Sequence, residues 1–217
     1  MNNSSISRRA LILGASGIGL ISNSGCTIAS NESVTLNSVK SLPKPILASE
    51  VYAAKLDEMF PLPAIPYKKI QTRYHRQLVE NSTGAPAGTL VVDTAKHFLY
   101  LTLEDGKAIR YGVGLGRAGF EWSGNGVIQY KRSWPRWTPP NEMIERQPEL
   151  SPFSAANGGM SPGLANPLGA RALYIFQDGV DTLYRIHGSP DWASIGKSVS
   201  SGCVRMINQD VIDLFNR

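Results

Sequence analysis

The sequence is poor in the residues that small folds use as staples. Two cysteines in 217 residues, Cys26 and Cys203, are too few for a disulfide-dense scaffold or a four-thiolate zinc site. The three histidines, His75, His97 and His187, show no metal-ligand spacing, so neither a metal nor another cofactor is expected. His75 and His97 are expected at the surface. Charged residues make up only 18% of the chain, but 42% is hydrophobic, so the shortfall is not that of a disordered chain. No repeat, glycine triplet period, heptad pattern or series of long apolar runs is present. Collagen, coiled coil and multi-span membrane protein are thereby excluded. Glycine and proline are plentiful instead (21 and 14), which favours a loop-rich β fold over a helical bundle. At about 150 residues per domain, the length allows one domain with additions.

Residues 1–29 have the layout of an export signal: a polar start, the Arg8-Arg9 pair and a weakly apolar run over residues 10–21. A dozen helical residues span roughly 18 Å, short of the ~30 Å bilayer core, so no transmembrane span is expected in the mature protein. Ser7-Arg8-Arg9-Ala10-Leu11-Ile12-Leu13 looks like a twin-arginine signal, with a general secretory signal as the alternative. Cleavage after Ala29 discards Cys26, whereas cleavage before Cys26 would make it a lipid anchor. Asn23 stands where a lipoprotein signal usually has an aliphatic residue, which favours the first. The expected location is the periplasm or cell envelope. Loss of Arg8 and Arg9 takes the net charge from +5 to +3. That charge is too small for a nucleic-acid footprint, and no basic stripe is interleaved with aromatics.

Residues 30–71 read as a stalk or linker, rich in Ser, Asn and Pro at its ends. Within it, residues 50–60 are expected to form a short amphipathic helix with Val51, Ala54, Leu56 and Met59 on its apolar side. The domain proper is expected over residues 72–217. Period-two patterns mark strands over 89–93, 97–103, 108–115, 127–132, 171–176 and 182–187, with a turn at 104–107. Asn141 is expected to cap a helical turn ending before Pro148. Asn208 is expected to cap a last helix that buries Val211, Ile212, Leu214 and Phe215. The long Gly/Pro/Asn loop over 151–168 is of a length that suggests a functional role. The fold class is therefore mainly β, largely antiparallel, with a few short helices. Gly114-Leu115-Gly116-Arg117-Ala118-Gly119 matches a dinucleotide-binding glycine pattern, but loop chemistry follows where a helix must begin, and no βαβ alternation surrounds it.

The chemistry concentrates near the C-terminus. His187 ends a strand and is followed at once by Gly188, and Cys203 sits in a Ser200-Ser201-Gly202-Cys203 loop before the last helix. A thiol of pKa ~8.5 is mostly protonated at neutral pH, and a nearby imidazole can take its proton and later return it to a leaving amine. A bare glycine beside the nucleophile lets backbone N–H groups donate to an oxyanion. Arg205 is a fixed cation able to hold a substrate carboxylate. A lone cysteine is ordinarily a small buried hydrophobe and a lone histidine a structural residue. The polar S-S-G-C setting and an exported location with a single thiol outweigh that reading. A papain-like arrangement is disfavoured, because here the histidine precedes the cysteine and both lie late in the domain.

His187-Gly188-Ser189 followed by Ser200-Ser201-Gly202-Cys203-Val204-Arg205-Met206 resembles the active-site motif of the L,D-transpeptidase (YkuD-type) catalytic domain. Similarity extends through Gly88-Thr89-Leu90-Val91-Val92-Asp93, Tyr111-Gly112-Val113-Gly114, the segment 134–140 and Asn166-Pro167-Leu168-Gly169-Ala170-Arg171, covering roughly residues 72–217. The resemblance implies a β-sandwich or barrel-like catalytic fold of the bacterial envelope that acts on peptidoglycan stem peptides in wall biogenesis and cell shape. It implies Cys203 as nucleophile and His187 as general base and acid. Gly188 would supply the carbonyl that orients His187, and Gly202 with Cys203 the oxyanion-hole N–H groups. Arg205 and Ser201 would lie against the substrate; Ser201 stands where many members carry histidine, so only a backbone role carries over. Transfer to an amine gives a 3→3 cross-link. The alternatives are an L,D-carboxypeptidase, a wall-anchoring transferase or a non-catalytic wall-binding module. Trp134, Trp137 and the 151–168 loop are candidate cleft walls, with core packing the competing role for both tryptophans. Family domains usually continue past the last helix, so a chain shortened after Arg217 is expected.

Overall fold

The computed structural model describes residues 47–117, 123–200 and 202–217. The export segment with Arg8, Arg9 and Cys26, the first part of the expected stalk, and Ser201 lie outside the described residues. In chain order the elements are α1 (Ala48–Val51), β1 (Gln77–Glu80), β2 (Leu90–Asp93), β3 (Phe98–Thr102), β4 (Lys107–Gly112), β5 (Leu115–Gly116) and β6 (Val127–Ser133). There follow α2 (Asn141–Arg146), β7 (Arg171–Gln177), β8 (Val180–Ser189), β9 (Ser198–Ser200), β10 (Val204–Ile207) and α3 (Asn208–Asn216).

The protein is mainly β. One sheet has the order β1-β4-β3-β2, a second the order β10-β8-β7-β6, and β5 pairs with β9. Period-two alternation turns Leu99, Ile109 and Tyr111 of the first sheet toward Leu173, Ile175, Ile186 and Met206 of the second, and Val211 and Leu214 of α3 complete this core. Each such side chain, fully buried, contributes about 1.5–3 kcal/mol. The β7–β8 hairpin turns on Asp178 and Gly179, both at positive φ (51° and 79°), the two-residue turn whose twist matches the flanking strands.

The structure corrects the sequence expectations at several places. Residues 47–71 were expected as a stalk, yet Tyr52, Leu62 and Ile70 are buried in core clusters with Ile195, Ile207, Trp134 and Ile212. The expected helix over 50–60 is only the single turn of α1. Leu56 and Met59 are exposed, because the chain leaves helical periodicity after Tyr52. His75 is buried, its Nε2 lying 3.0 Å from the Tyr67 carbonyl and 3.2 Å from that of Ile70. The short edge strand β1 was not expected, and neither was β10, which separates Cys203 from the last helix. β10 runs parallel to β8, so the domain is not uniformly antiparallel. Asn208 makes no cap hydrogen bond. Its Oδ1 accepts from the Ala170 N–H (2.9 Å) and its Nδ2 donates to the Ser189 carbonyl (3.3 Å), so it ties α3 to the ends of two strands.

A buried polar cluster joins α3 to the N-terminal segment. Tyr52 donates to Asp210 (3.1 Å), Tyr111 donates to Asp213 (2.7 Å), and Arg76 lies 3.6 Å from Asp210 and 2.6 Å from Asp213. Burial pushes the Asp210 carboxyl up to about 7, against the pull of Arg76. The folded state thus holds a proton that the unfolded chain releases near pH 4. This contribution to stability is present at low pH and is lost as pH rises toward about 7. Asp210→Asn keeps an acceptor for Tyr52 and leaves Arg76 with Asp213. Its thermal midpoint is expected to match wild type near pH 4 and to exceed it increasingly up to pH 7–8. A constant offset across that range would refute the assignment.

Candidate active site

Strands β8 and β10 lie side by side with Ile186 paired to Val204 and His187 to Arg205. Ile186 and Met206 face the core, so by alternation His187 and Arg205 face the opposite side. Cys203, two residues before Arg205, and Arg185, two before His187, fall on that same side. Cys203 Sγ reaches the Leu183 carbonyl of β8 at 3.9 Å, and the charges of Arg185 and Arg205 act on both Cys203 and His187. Arg185, His187 and Arg205 on two neighbouring strands, with Cys203 at the entry to β10, therefore share one face.

His187 is buried, and its Nδ1–H donates to the carbonyl of Gly188 (2.6 Å). That bond fixes the tautomer with Nε2 as the ring's acceptor. Burial pulls the imidazole down to about 4, Arg205 and Arg185 add to the pull, and the carbonyls of Gly188 and Pro167 oppose it. The ring is therefore neutral and able to accept a proton at any pH above about 5. Burial also pushes the half-buried Cys203 thiol above its ordinary value, partly offset by Arg185 and Arg205.

A distortion of β8 serves the cysteine. Phe176 pairs with Asp181 and Tyr174 with Arg185, so residues 182–184 bulge opposite Ile175. At the apex Leu183 sits at φ 63°, and its carbonyl accepts from Cys203 Sγ at 3.9 Å. Asp181 pins the bulge by accepting from the Leu183 N–H (2.8 Å) and from the Arg185 guanidinium through both oxygens (2.6 and 2.7 Å). The Arg185 guanidinium in turn lies 4.4 Å from the centre of the Tyr174 ring. Sequence reasoning missed Arg185 and Asp181. The available signal was the two-residue offset of Arg185 from His187, which puts both on one face of a strand.

Gly188 is a packing necessity as well as a carbonyl source. A Cβ there would stand 2.2 Å from Asn208 Oδ1 and 3.0 Å from Val211. Gly202 adopts φ 122°, a region that side-chain-bearing residues avoid. Arg205 is partly exposed, 4.0 Å from the Asp191 carboxylate. Trp134 belongs to a core cluster and packs edge-on against Phe60, while Trp137 pairs with Met160 of the long loop. That loop is held by Asn166, whose Nδ2 donates to the carbonyls of Pro135 (3.1 Å), Met160 (3.3 Å) and Ser161 (3.1 Å). Gly114 and Gly116 flank or lie in the strand β5, where Gly114 exchanges hydrogen bonds with Arg205. Among the described residues no cluster of His, Cys, Asp and Glu could hold a metal, and no helix is long and apolar enough to cross a membrane.

A cysteine at the entry to β10 and a neutral histidine on the adjacent parallel strand β8 form a candidate thiol–imidazole site in a β-rich domain. The chain belongs to the YkuD family, the L,D-transpeptidase catalytic domain, whose profile matches residues 87–217. It is 36% identical over 134 residues to an Escherichia coli K12 protein named as a probable L,D-transpeptidase, ErfK/SrfK, covering 58% of this chain and 40% of that one. It is 35% identical over 108 residues to YbiS of the same organism, also named as a probable L,D-transpeptidase, covering 48% and 33%. The chain thus matches well under half the length of these curated relatives. A solved structure from Brucella melitensis, described as a probable carnitine operon oxidoreductase, shares 46% identity at a TM-score of 0.50. It covers 70% of this chain and 92% of that one.

Proposed function

We propose that this protein is a peptidoglycan L,D-transpeptidase in which Cys203 is the nucleophile. The observation that carries the reading is the shared face of Cys203, His187, Arg185 and Arg205 within a domain of this family. The donor is a tetrapeptide stem, and the bond attacked joins the L-centre of diaminopimelate to terminal D-alanine. His187 Nε2 takes the thiol proton as Sγ bonds to the carbonyl carbon. The oxyanion rests on the N–H groups of Gly202 and Cys203. The C–N bond then breaks, His187 hands its proton to the departing D-alanine, and a thioester remains. Arg205 and the backbone of Ser201 hold the substrate. An amine of a second stem, deprotonated by His187, displaces the thiol and completes a 3→3 cross-link. Attack by water gives carboxypeptidase activity, and attack by a protein amine anchors that protein to the wall. Residues 1–29 export the protein to the envelope, with Cys26 removed or lipidated. Residues 72–217 carry the chemistry.

Incubation of the folded, reduced chain with a carbapenem is expected to add one carbapenem mass to the peptide containing Cys203. An unmodified chain would overturn the reading. Product analysis with purified tetrapeptide stems then separates the outcomes: linked dimers report transpeptidation, and tripeptides alone report hydrolysis.

A further inference from the structure

The face that carries His187 continues across the sheet to a cationic cavity. Arg205 pairs with His187, His187 with Ala172, and Ala172 with Arg132, so one row crosses β10, β8, β7 and β6. Ala172, a single methyl and fully buried, stands in that row between His187 and Arg132. The adjoining row is aromatic: Tyr174 stacks on Tyr130 at 4.3 Å, and the Arg132 guanidinium lies 5.4 Å from the Tyr130 ring centre. Lys131 turns to the other side of the sheet, where it lies over the Phe215 ring at 4.5 Å, which confirms the side Arg132 takes.

A cavity of about 470 Å³ opens at this end of the row, lined by Arg132, Arg136, Tyr174, Trp134 and their neighbours, and among the described residues no acidic one stands in its wall. Among the described residues Arg136 donates only to neutral groups, the carbonyls of Gly158 (2.9 Å) and Gly159 (3.2 Å) and Ser161 Oγ (3.4 Å), and none of them offsets its charge. Arg132 has no ion pair among the described residues. The Glu58 carboxylate, which accepts from Trp134, is committed to Arg171. Two guanidinium groups with no carboxylate partner among the described residues, beside a fixed aromatic wall, suit a carboxylate, which the guanidinium fork binds through two parallel hydrogen bonds. Strands lie about 4.8 Å apart, so Arg132 is about 10 Å from His187, the reach of roughly three extended peptide units.

We infer that the Arg132–Arg136 cavity is a carboxylate subsite, which takes a free carboxylate of the stem peptide about 10 Å from the carbonyl under attack. The inference rests on the transpeptidase reading for the identity of the peptide. Arg132 reads the carboxylate and Arg136, held by the long loop, reinforces the field. Calorimetric titration of the Cys203→Ala chain with a synthetic diaminopimelate tetrapeptide, alone and with Arg132→Gln added, tests it. The added substitution is expected to weaken binding about tenfold, with partial recovery in Arg132→Lys. With the corresponding peptide carboxamides, one carboxylate blocked at a time, one carboxamide is expected to bind both chains equally. Equal binding of the free-acid peptide by both chains overturns the subsite, as does an equal loss with every carboxamide. Carbapenem labelling of the wild-type chain separately decides the parent reading, so failure of one is distinguishable from failure of the other.

Discussion

Cys203→Ala is expected to abolish labelling by a carbapenem, and His187→Gln to slow it by about 10²–10⁴-fold, both without loss of the fold. Glutamine fills most of the imidazole's space and its amide can still donate to the Gly188 carbonyl, so the effect falls on the proton acceptor at Nε2. The pH profile distinguishes this from general damage. Burial holds His187 at about 4, so the wild-type base is already neutral at pH 5. Labelling is expected to persist from pH 7 down to about 5 and to fall only near 4, whereas an exposed imidazole would lose it near 6.5. In His187→Gln no base remains, and the rate follows the thiolate fraction. It then climbs about tenfold per pH unit through neutrality, because the Cys203 thiol sits above its ordinary value. Labelling rates measured by intact mass between pH 4 and 9 check both curves. A wild-type midpoint near 6.5, or a flat profile in the variant, would refute the role given to His187.

The parts of this molecule legible in the sequence are those set by local pattern. Strands β2, β3, β4, β6, β7 and β8 and the helix α3 follow from period-two or helical spacing of apolar residues, and each is observed within a few residues of its expected bounds. Cys203 and His187 were legible together as a motif, but the strand partnership that sets their segments side by side was not. β10 is four residues long, and its parallel partnership with β8 is a long-range fact that no local pattern encodes. The residue-182–184 bulge is likewise tertiary. Leu183 at positive φ breaks local preference, and only the Asp181 and Arg185 contacts reveal why it is held there. Asn208 shows the opposite failure. It has the chemistry of a helix cap, but a better use for its amide lies across the fold at Ala170 and Ser189. His75 looked like a surface residue because nothing nearby in sequence announces the carbonyls of Tyr67 and Ile70 that receive it.

Glu58→Ala is expected to destabilise the protein by about 3 kcal/mol or more, read as a lower urea midpoint at unchanged slope. Glu58 lies in the segment whose composition suggested a stalk, yet both its oxygens meet the Arg171 guanidinium, at 2.9 and 2.6 Å, and Oε2 also accepts from Trp134 at 2.8 Å. Burial works against its charge, but the bonds from Arg171 and Trp134 hold its carboxyl below the ordinary range. The side chains are only 12% and 10% exposed, so removing the carboxylate leaves a guanidinium largely cut off from water beside an unsatisfied indole N–H. The cost comes from that stranded charge more than from the lost attraction. Glu58→Leu combined with Arg171→Met, which removes both charges and keeps apolar volume, is therefore expected to recover most of the loss. The pair also fixes the start of β7, where the Ala170 N–H meets Asn208 beside Gly188, the residue whose carbonyl orients His187. A tether with no structural role would tolerate Glu58→Ala without any shift in midpoint, and that result would remove residues 47–71 from the folded domain.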